Sequence, residues 1–139
     1  MRILAPIVIA AAAFAAPILH AQEASHVAAA TDAATRWLAL MDEGKSGDGW
    51  EQGAALMQAA VTRDKWSAVL AGVRTPLGAV SSRTLKSAQY TRAIPGAPEG
   101  EYVVIHYDTQ FANKAGATEM VVPMRAADGS WKVSGYFIR

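Results

Sequence analysis

Apolar residues recur with two different periods along this chain, and the change of period divides it into a helical first half and a strand-rich second half. From Val27 to Met41 the packing residues are Val27, Ala30, Ala34, Trp37, Leu38 and Met41, the three- and four-residue steps of one helix face. Gly44 ends that run, and Ser46 or Asp48 can cap a second helix with Trp50, Ala54, Met57 and Val61 inward. Thr62 caps a third, with Asp64 in its first turn and Trp66, Val69, Leu70 and Val73 facing the core. The segment Arg74-Thr-Pro-Leu-Gly78 closes it, because Pro76 disfavours helix at Thr75 and Gly78 permits the turn.

Beyond that point the period is two. Asp128-Gly129 is a two-residue hairpin signal. It pairs Ala126 with Trp131, Met124 with Val133, Val122 with Gly135 and Met120 with Phe137, and sets Val121 beside Tyr136 and Glu119 beside Ile138 on the opposite face. A turn around Asn113-Lys-Ala-Gly116 pairs Thr109 with Met120, Tyr107 with Val122 and Ile105 with Met124. The two turns agree on one helix-facing surface: Val103, Ile105, Tyr107, Thr109 and Phe111, then Met120, Val122 and Met124, then Trp131, Val133 and Phe137. A fourth strand lies between Ser82 and Ile94, with its inward face open. Pro123 removes a ladder donor, so an irregularity is expected there, and Gly135 marks a bend. The expected fold is α+β: three N-terminal helices on one face of a curved antiparallel meander of about four strands.

The start of the chain follows neither period. Arg2 precedes an apolar run from Ile3 to Leu19, which exits through His20-Ala21 into the polar Gln22-Glu23, the order of a cleavable signal peptide. The run is 17 residues long, contains Pro6 and Pro17, and is short for a membrane anchor, which needs about 20. The expected organisation is a leader over 1–21 and a single α+β domain over 22–139, with cleavage after Ala24 as the alternative site. The product is periplasmic or secreted, with no stable membrane anchor after cleavage.

Removing 21 of the 139 residues leaves 118, enough for one core. Of the 13 basic residues only Arg2 lies in the leader, so 12 basic and 12 acidic residues remain. That balance offers no footprint for nucleic acid or anionic lipid. The absence of cysteine excludes a disulfide framework, a thiol nucleophile, a cysteine-held metal and a lipid on a leading cysteine.

Several segments resemble a known family. They are Trp37-Leu38 followed by Asp42 and Gly44, Trp50, Trp66, Arg74-Thr-Pro-Leu-Gly78, Ser82-Arg83, Pro95-Gly-Ala-Pro98-Glu-Gly-Glu-Tyr102, Phe111-Ala-Asn113-Lys114, Glu119, Asp128-Gly-Ser-Trp131 and Gly135-Tyr136. The chain resembles, over nearly all of its mature length, the exported bacterial family called domain of unknown function 4019. That resemblance implies no activity. The order of elements is also similar to the cone-shaped fold of nuclear transport factor 2, in reduced form, or to the cystatin-like fold, and such folds host enzymes and binding proteins alike.

Candidate chemistry is sparse. His106 and Asp108 share a strand face, where a carboxylate can orient an imidazole for acid/base or metal work, and Tyr107 lies on the other face. The expected register turns His106 and Asp108 away from the helices with no third ligand beside them, so a solvated polar face is the first reading, and no metal or cofactor is expected. No carboxylate maps to the inner face of the three later strands, which disfavours an enolising enzyme. Trp37, Trp50 and Trp66 read as core aromatics before ligand-stacking groups. Arg74 and Arg83 could pair with Glu99 and Glu101 or bind an anion. The loop Ile94–Gly100, stiffened by Pro95 and Pro98, is the candidate lid or partner contact, and a stiff hairpin connection explains it equally without a ligand.

The expected function is a non-catalytic domain of the cell envelope that binds a small molecule or an envelope protein. The alternatives are an envelope enzyme using His106 and Asp108, and a homodimer formed through an exposed sheet face carrying Tyr102, Val104, Val121, Tyr136 and Ile138.

Overall fold

The computed structural model describes residues 16–139. Most of the expected leader lies outside them, and only its last residues, from Ala16, are described. The elements run α1 (Ala16–Asp42), α2 (Ser46–Glu51), α3 (Ala55–Ala60), α4 (Arg63–Leu77), β1 (Val80–Thr91), β2 (Tyr102–Phe111), β3 (Lys114–Arg125) and β4 (Trp131–Ile138). The strands form one antiparallel sheet in the order β1-β2-β3-β4, with the helices on one face, as the α+β reading expects.

Helix α1 is 27 residues long and begins eleven residues before Val27. Positions 17–25 are exposed, His26 and Val27 are half-buried, and the core stripe is Ala30, Ala34, Trp37, Leu38 and Met41, as the spacing predicts. Gly44 stops the helix at φ 74°, a conformation costly for residues with a Cβ, while Lys45 N–H bonds the Leu40 carbonyl at 2.8 Å. The single second helix expected from the sequence is two short ones, α2 and α3, because the chain turns at Gln52-Gly53-Ala54 to let Ala54 N–H bond the Val133 carbonyl of β4 at 2.8 Å. Thr62 caps α4, its hydroxyl accepting from Lys65 N–H.

Helix α4 departs from expectation on its face. Trp66 and Leu70 are buried, but Val69 and Val73 are 50% and 43% exposed. The buried line runs in four-residue steps through Trp66 and Leu70 to Arg74, so the contact stripe is narrow and its third member is a cation. The core tryptophans meet across helices, Trp37 lying 6.0 Å from Trp66 and 5.1 Å from the Tyr136 ring. Their indole N–H groups each find a backbone carbonyl: Trp37 on Gly49, Trp50 on Val61 and Trp66 on Ser46.

In the sheet, β2 turns Val103, Ile105, Tyr107, Thr109 and Phe111 inward, as expected. The face of β3 is the reverse of the expected one. Tyr107 pairs with Glu119, Ile105 with Val121 and Thr109 with Ala117, a slip of three positions that brings Ala117, Glu119 and Val121 inside and turns Met120 outward. The cause is an earlier turn combined with a one-residue bulge. Phe111 pairs with Lys114 across only Ala112-Asn113, and Gly116, at φ 70°, takes up a register shift inside the strand rather than closing the hairpin. The hairpin tip is held by the end of α4, where Asn113 N–H bonds the Leu77 carbonyl and its side-chain amide donates to the Pro76 carbonyl.

The irregularity expected at Pro123 is present. The β3–β4 register is as expected from Met120–Phe137 to Val122–Gly135, then shifts by one so that Pro123 faces Val133 and Arg125 faces Trp131. The extra residue is Ser134, whose hydroxyl donates to the Val122 carbonyl at 2.7 Å. Phe137 stays opposite the outward Met120, so the reversed face of β3 leaves it outside, 53% exposed, against the expectation for Phe137, and the bulge brings Val133 onto the helix side with Tyr136. The proposed dimer patch changes accordingly: Tyr102 and Val121 are buried, and Tyr136 packs on Trp37. Strand β1, undecided from the sequence, sends Arg83, Ala88 and Tyr90 toward the helices.

Candidate functional site

Two features stand out on this frame: a cluster of charges that runs from the buried Glu119 to the exposed Asp42, and an open apolar cleft. The cluster is built around Glu119, which the slipped register carries into the interior, where it has no exposed surface. Arg83 Nε donates to Glu119 Oε1 at 2.7 Å, Thr109 Oγ1 donates to the same oxygen at 2.6 Å, and Tyr136 donates its hydroxyl to Oε2. Arg74 donates to the Tyr136 hydroxyl at 3.0 Å and to Asp42 Oδ1 at 2.7 Å, and Arg83 grips both Asp42 oxygens at 2.8 and 2.9 Å. Arg74 also lies over the Phe111 ring, 5.3 Å from its centroid. Two acids and two arginines therefore neutralise one another across α1, α4, β1 and β3, with Tyr136 of β4 bonded into the same network.

The protonation states follow from this arrangement. Burial alone would raise the Asp42 pKa, but the hydrogen bonds from Arg83 and Arg74 outweigh it and hold the carboxyl below its ordinary value. Burial would lower the pKa of Arg83, and the hydrogen bonds to Asp42 and Glu119 hold it above the ordinary range instead. Tyr136 is pushed far up by burial and then by the Glu119 charge, and Tyr107 is pushed up by burial. Tyr107 is 5% exposed, and its buried hydroxyl makes no hydrogen bond of ordinary geometry among the described residues, although Thr35 lies near enough to interact with it. An inward acid beside two tyrosines has the parts of an enolising site, contrary to the sequence expectation that no acid lies there. Here the acid is saturated by its own arginines, and a general base must be able to reach a substrate proton.

The cleft is the larger feature, about 1040 Å³. Its walls are the start of α1 at Ala24 and Val27, the β1–β2 loop at Ile94 and Pro95, and the outward residues Val104 and Met120. The loop lies against the outer sheet face, where the Tyr102 hydroxyl donates to the Pro98 carbonyl at 2.7 Å. The base of the loop is tied by Glu101, which accepts from Tyr90 at 2.9 Å and Arg125 at 3.1 Å and faces His26 at 3.6 Å. Burial would raise the Glu101 pKa, but its hydrogen bonds from Tyr90 and Arg125 lower it overall. His26 stacks on Tyr90 and leans on Trp131, fixing α1 over the sheet.

The residues singled out from the sequence fall as follows. His106 and Asp108 are on the outer face; His106 Nδ1 is 3.3 Å from the Ser87 hydroxyl and Asp108 is 3.8 Å from Lys86. Among the described residues no three His, Cys, Asp or Glu side chains are placed to hold a metal. Arg74 and Arg83 form ion pairs, but with Asp42 and Glu119 rather than with Glu99 and Glu101. Trp37 and Trp66 are buried and Trp50 half-buried, and none of the three lines the cleft. Glu119 is the residue that the sequence reading misplaced. The signal for it was the four-residue spacing from Leu70 to Arg74, which puts a cation on the buried helix line in need of a carboxylate.

An α+β domain with helices on one face of a four-stranded meander, an ion cluster beneath them and an apolar cleft at its edge is the class of protein that the fold defines. The chain belongs to the family described as a protein of unknown function, DUF4019, whose model matches residues 33–136. Searches of the curated proteins and of the solved structures give no match. Among the described residues no helix is long and apolar enough to cross a membrane.

Proposed function

We propose that this chain is an exported protein of the cell envelope that binds a small apolar ligand in the cleft between the start of α1, the β1–β2 loop and the outer sheet face. The observation that carries this reading is the cleft itself: at about 1040 Å³ it is at the upper end of the range for small-molecule sites, and its walls are mainly aliphatic and aromatic. The clustered ionisable groups support a binding role over catalysis, because Glu119, Arg74, Arg83 and Asp42 spend their charges on one another. Export rests on the opening pattern of Arg2, the apolar run and the small-residue exit.

The test is titration of the protein purified from its own envelope with a neutral lipophilic dye such as N-phenyl-1-naphthylamine. Saturable binding is expected, weakened about tenfold by Val104→Glu or Met120→Glu, a loss of about 1.4 kcal/mol. Both side chains lie on the outer face and outside the main core cluster, so circular dichroism should be unchanged. Absence of saturable binding, or binding indifferent to both substitutions, removes the cleft as the site.

A further inference from the structure

A second, smaller cavity has the opposite chemistry. It measures about 350 Å³ and lies between α1, the end of α2 and the start of β4. Arg36 enters it from α1, Lys132 and Trp131 from β4, and Gln52 and Ser130 from the adjoining loops. The remaining acid in its wall, Glu51, is already engaged by Arg63 at 2.9 Å.

The Ser130 hydroxyl of this cavity donates to Asp128 at 2.6 Å, but the side-chain donors of Arg36, Lys132 and Trp131 have no hydrogen bond among the described residues. Arg74, Arg83, Arg63 and Arg125 each have a carboxylate partner within 4 Å, whereas neither Arg36 nor Lys132 forms an ion pair among the described residues. Lys132 has only a longer-range interaction with Asp128. Three of the four indole N–H groups end on backbone carbonyls, and that of Trp131 is the one with no protein acceptor among the described residues. Residues carrying a guanidinium, an ammonium, an indole N–H and an amide thus line one recess.

We propose that this recess binds a small planar organic carboxylate, with Arg36 and Lys132 taking the anion and Trp131 forming the wall for the ring. Arginine presents paired donors in a plane that matches a carboxylate, and lysine adds a point charge. The volume suits a single ring with its substituent. This site is separate from the apolar cleft, shares no lining residue with it, and stands whether or not the cleft binds a ligand.

The experiment uses benzoate as the anion and benzamide as its neutral counterpart, followed by calorimetry and by the Trp131 indole N–H resonance. Benzoate is expected to shift that resonance saturably and to bind at least tenfold more tightly than benzamide. Arg36→Gln and Lys132→Gln should each weaken benzoate about tenfold while leaving benzamide unchanged. Both side chains are exposed and outside the core, so the variants should fold, and the remaining indole resonances report whether they do. Equal binding of benzoate and benzamide, no binding of either, or benzoate affinity indifferent to both substitutions overturns the proposal.

Discussion

Glu119 shows how much one side chain can organise. It is fully buried, accepts from three side chains and pairs with an arginine that also holds Asp42. Replacing it by glutamine leaves two arginines under the helices with only Asp42 to balance them. Removing one partner of a buried pair costs about 3 kcal/mol or more. Chemical denaturation of Glu119→Gln should show a loss of that size, and a loss under about 0.5 kcal/mol would mean that the cluster contributes little. The residue was not legible from the sequence as an inward group. Its strand alternates cleanly, but Met120 and Val122 look like the apolar set; the turn was expected two positions too late, and the one-residue bulge at Gly116, which reverses the face, has no signal of its own.

Among the elements, helices were more legible than strand registers. The α1 stripe follows directly from residue spacing, because a helix face is set by its own sequence. A strand face depends on its partner, so the Ala112-Asn113 turn and the Gly116 bulge decided what β3 buries and, through it, which of Tyr136 and Phe137 enters the core, while the Ser134 bulge brought Val133 in beside Tyr136. The break between α2 and α3 was hidden for a similar reason: it serves the bond from Ala54 to β4. Close approach of α1 and α2 gives this scale its own test. A Cβ at Gly49 would run into the Met41 methyl and lie 3.2 Å from the Trp37 indole nitrogen. Gly49→Ala should therefore cost about 1–3 kcal/mol through overpacking and loosen the Trp37 bond to the Gly49 carbonyl. Thermal unfolding checks it, and an unchanged midpoint would show that Met41 swings aside freely.

At the scale of the molecule, the sequence conveyed the class of fold and left the sites obscure. The cleft and the recess are both made where separate elements meet, at α1 with the β1–β2 loop and at α1 with β4, and no local motif announces such meetings. The core begins at Ala30, with His26 and Val27 as its outermost attachments and positions 17–25 exposed. A chain beginning at Gln22 should then keep its stability to within about 0.5 kcal/mol, the usual range for changes away from the core. A larger drop in denaturation midpoint would show that the first turns of α1 bear on the fold.

The ion cluster also sets a time scale. Tyr136 and Arg74 are 62 residues apart in the chain, and Arg83 and Asp42 are 41 apart, so these bonds can close only after the meander and the helices have come together. Contacts of that separation are the slow part of folding and form late. Interactions missing from the transition state act on the rate of leaving the native state. We infer that the cluster lengthens the lifetime of the folded protein while leaving its rate of formation almost unchanged. In stopped-flow kinetics the loss in Glu119→Gln would then fall on the unfolding arm, and a loss on the folding arm would instead place these charges in the folding nucleus.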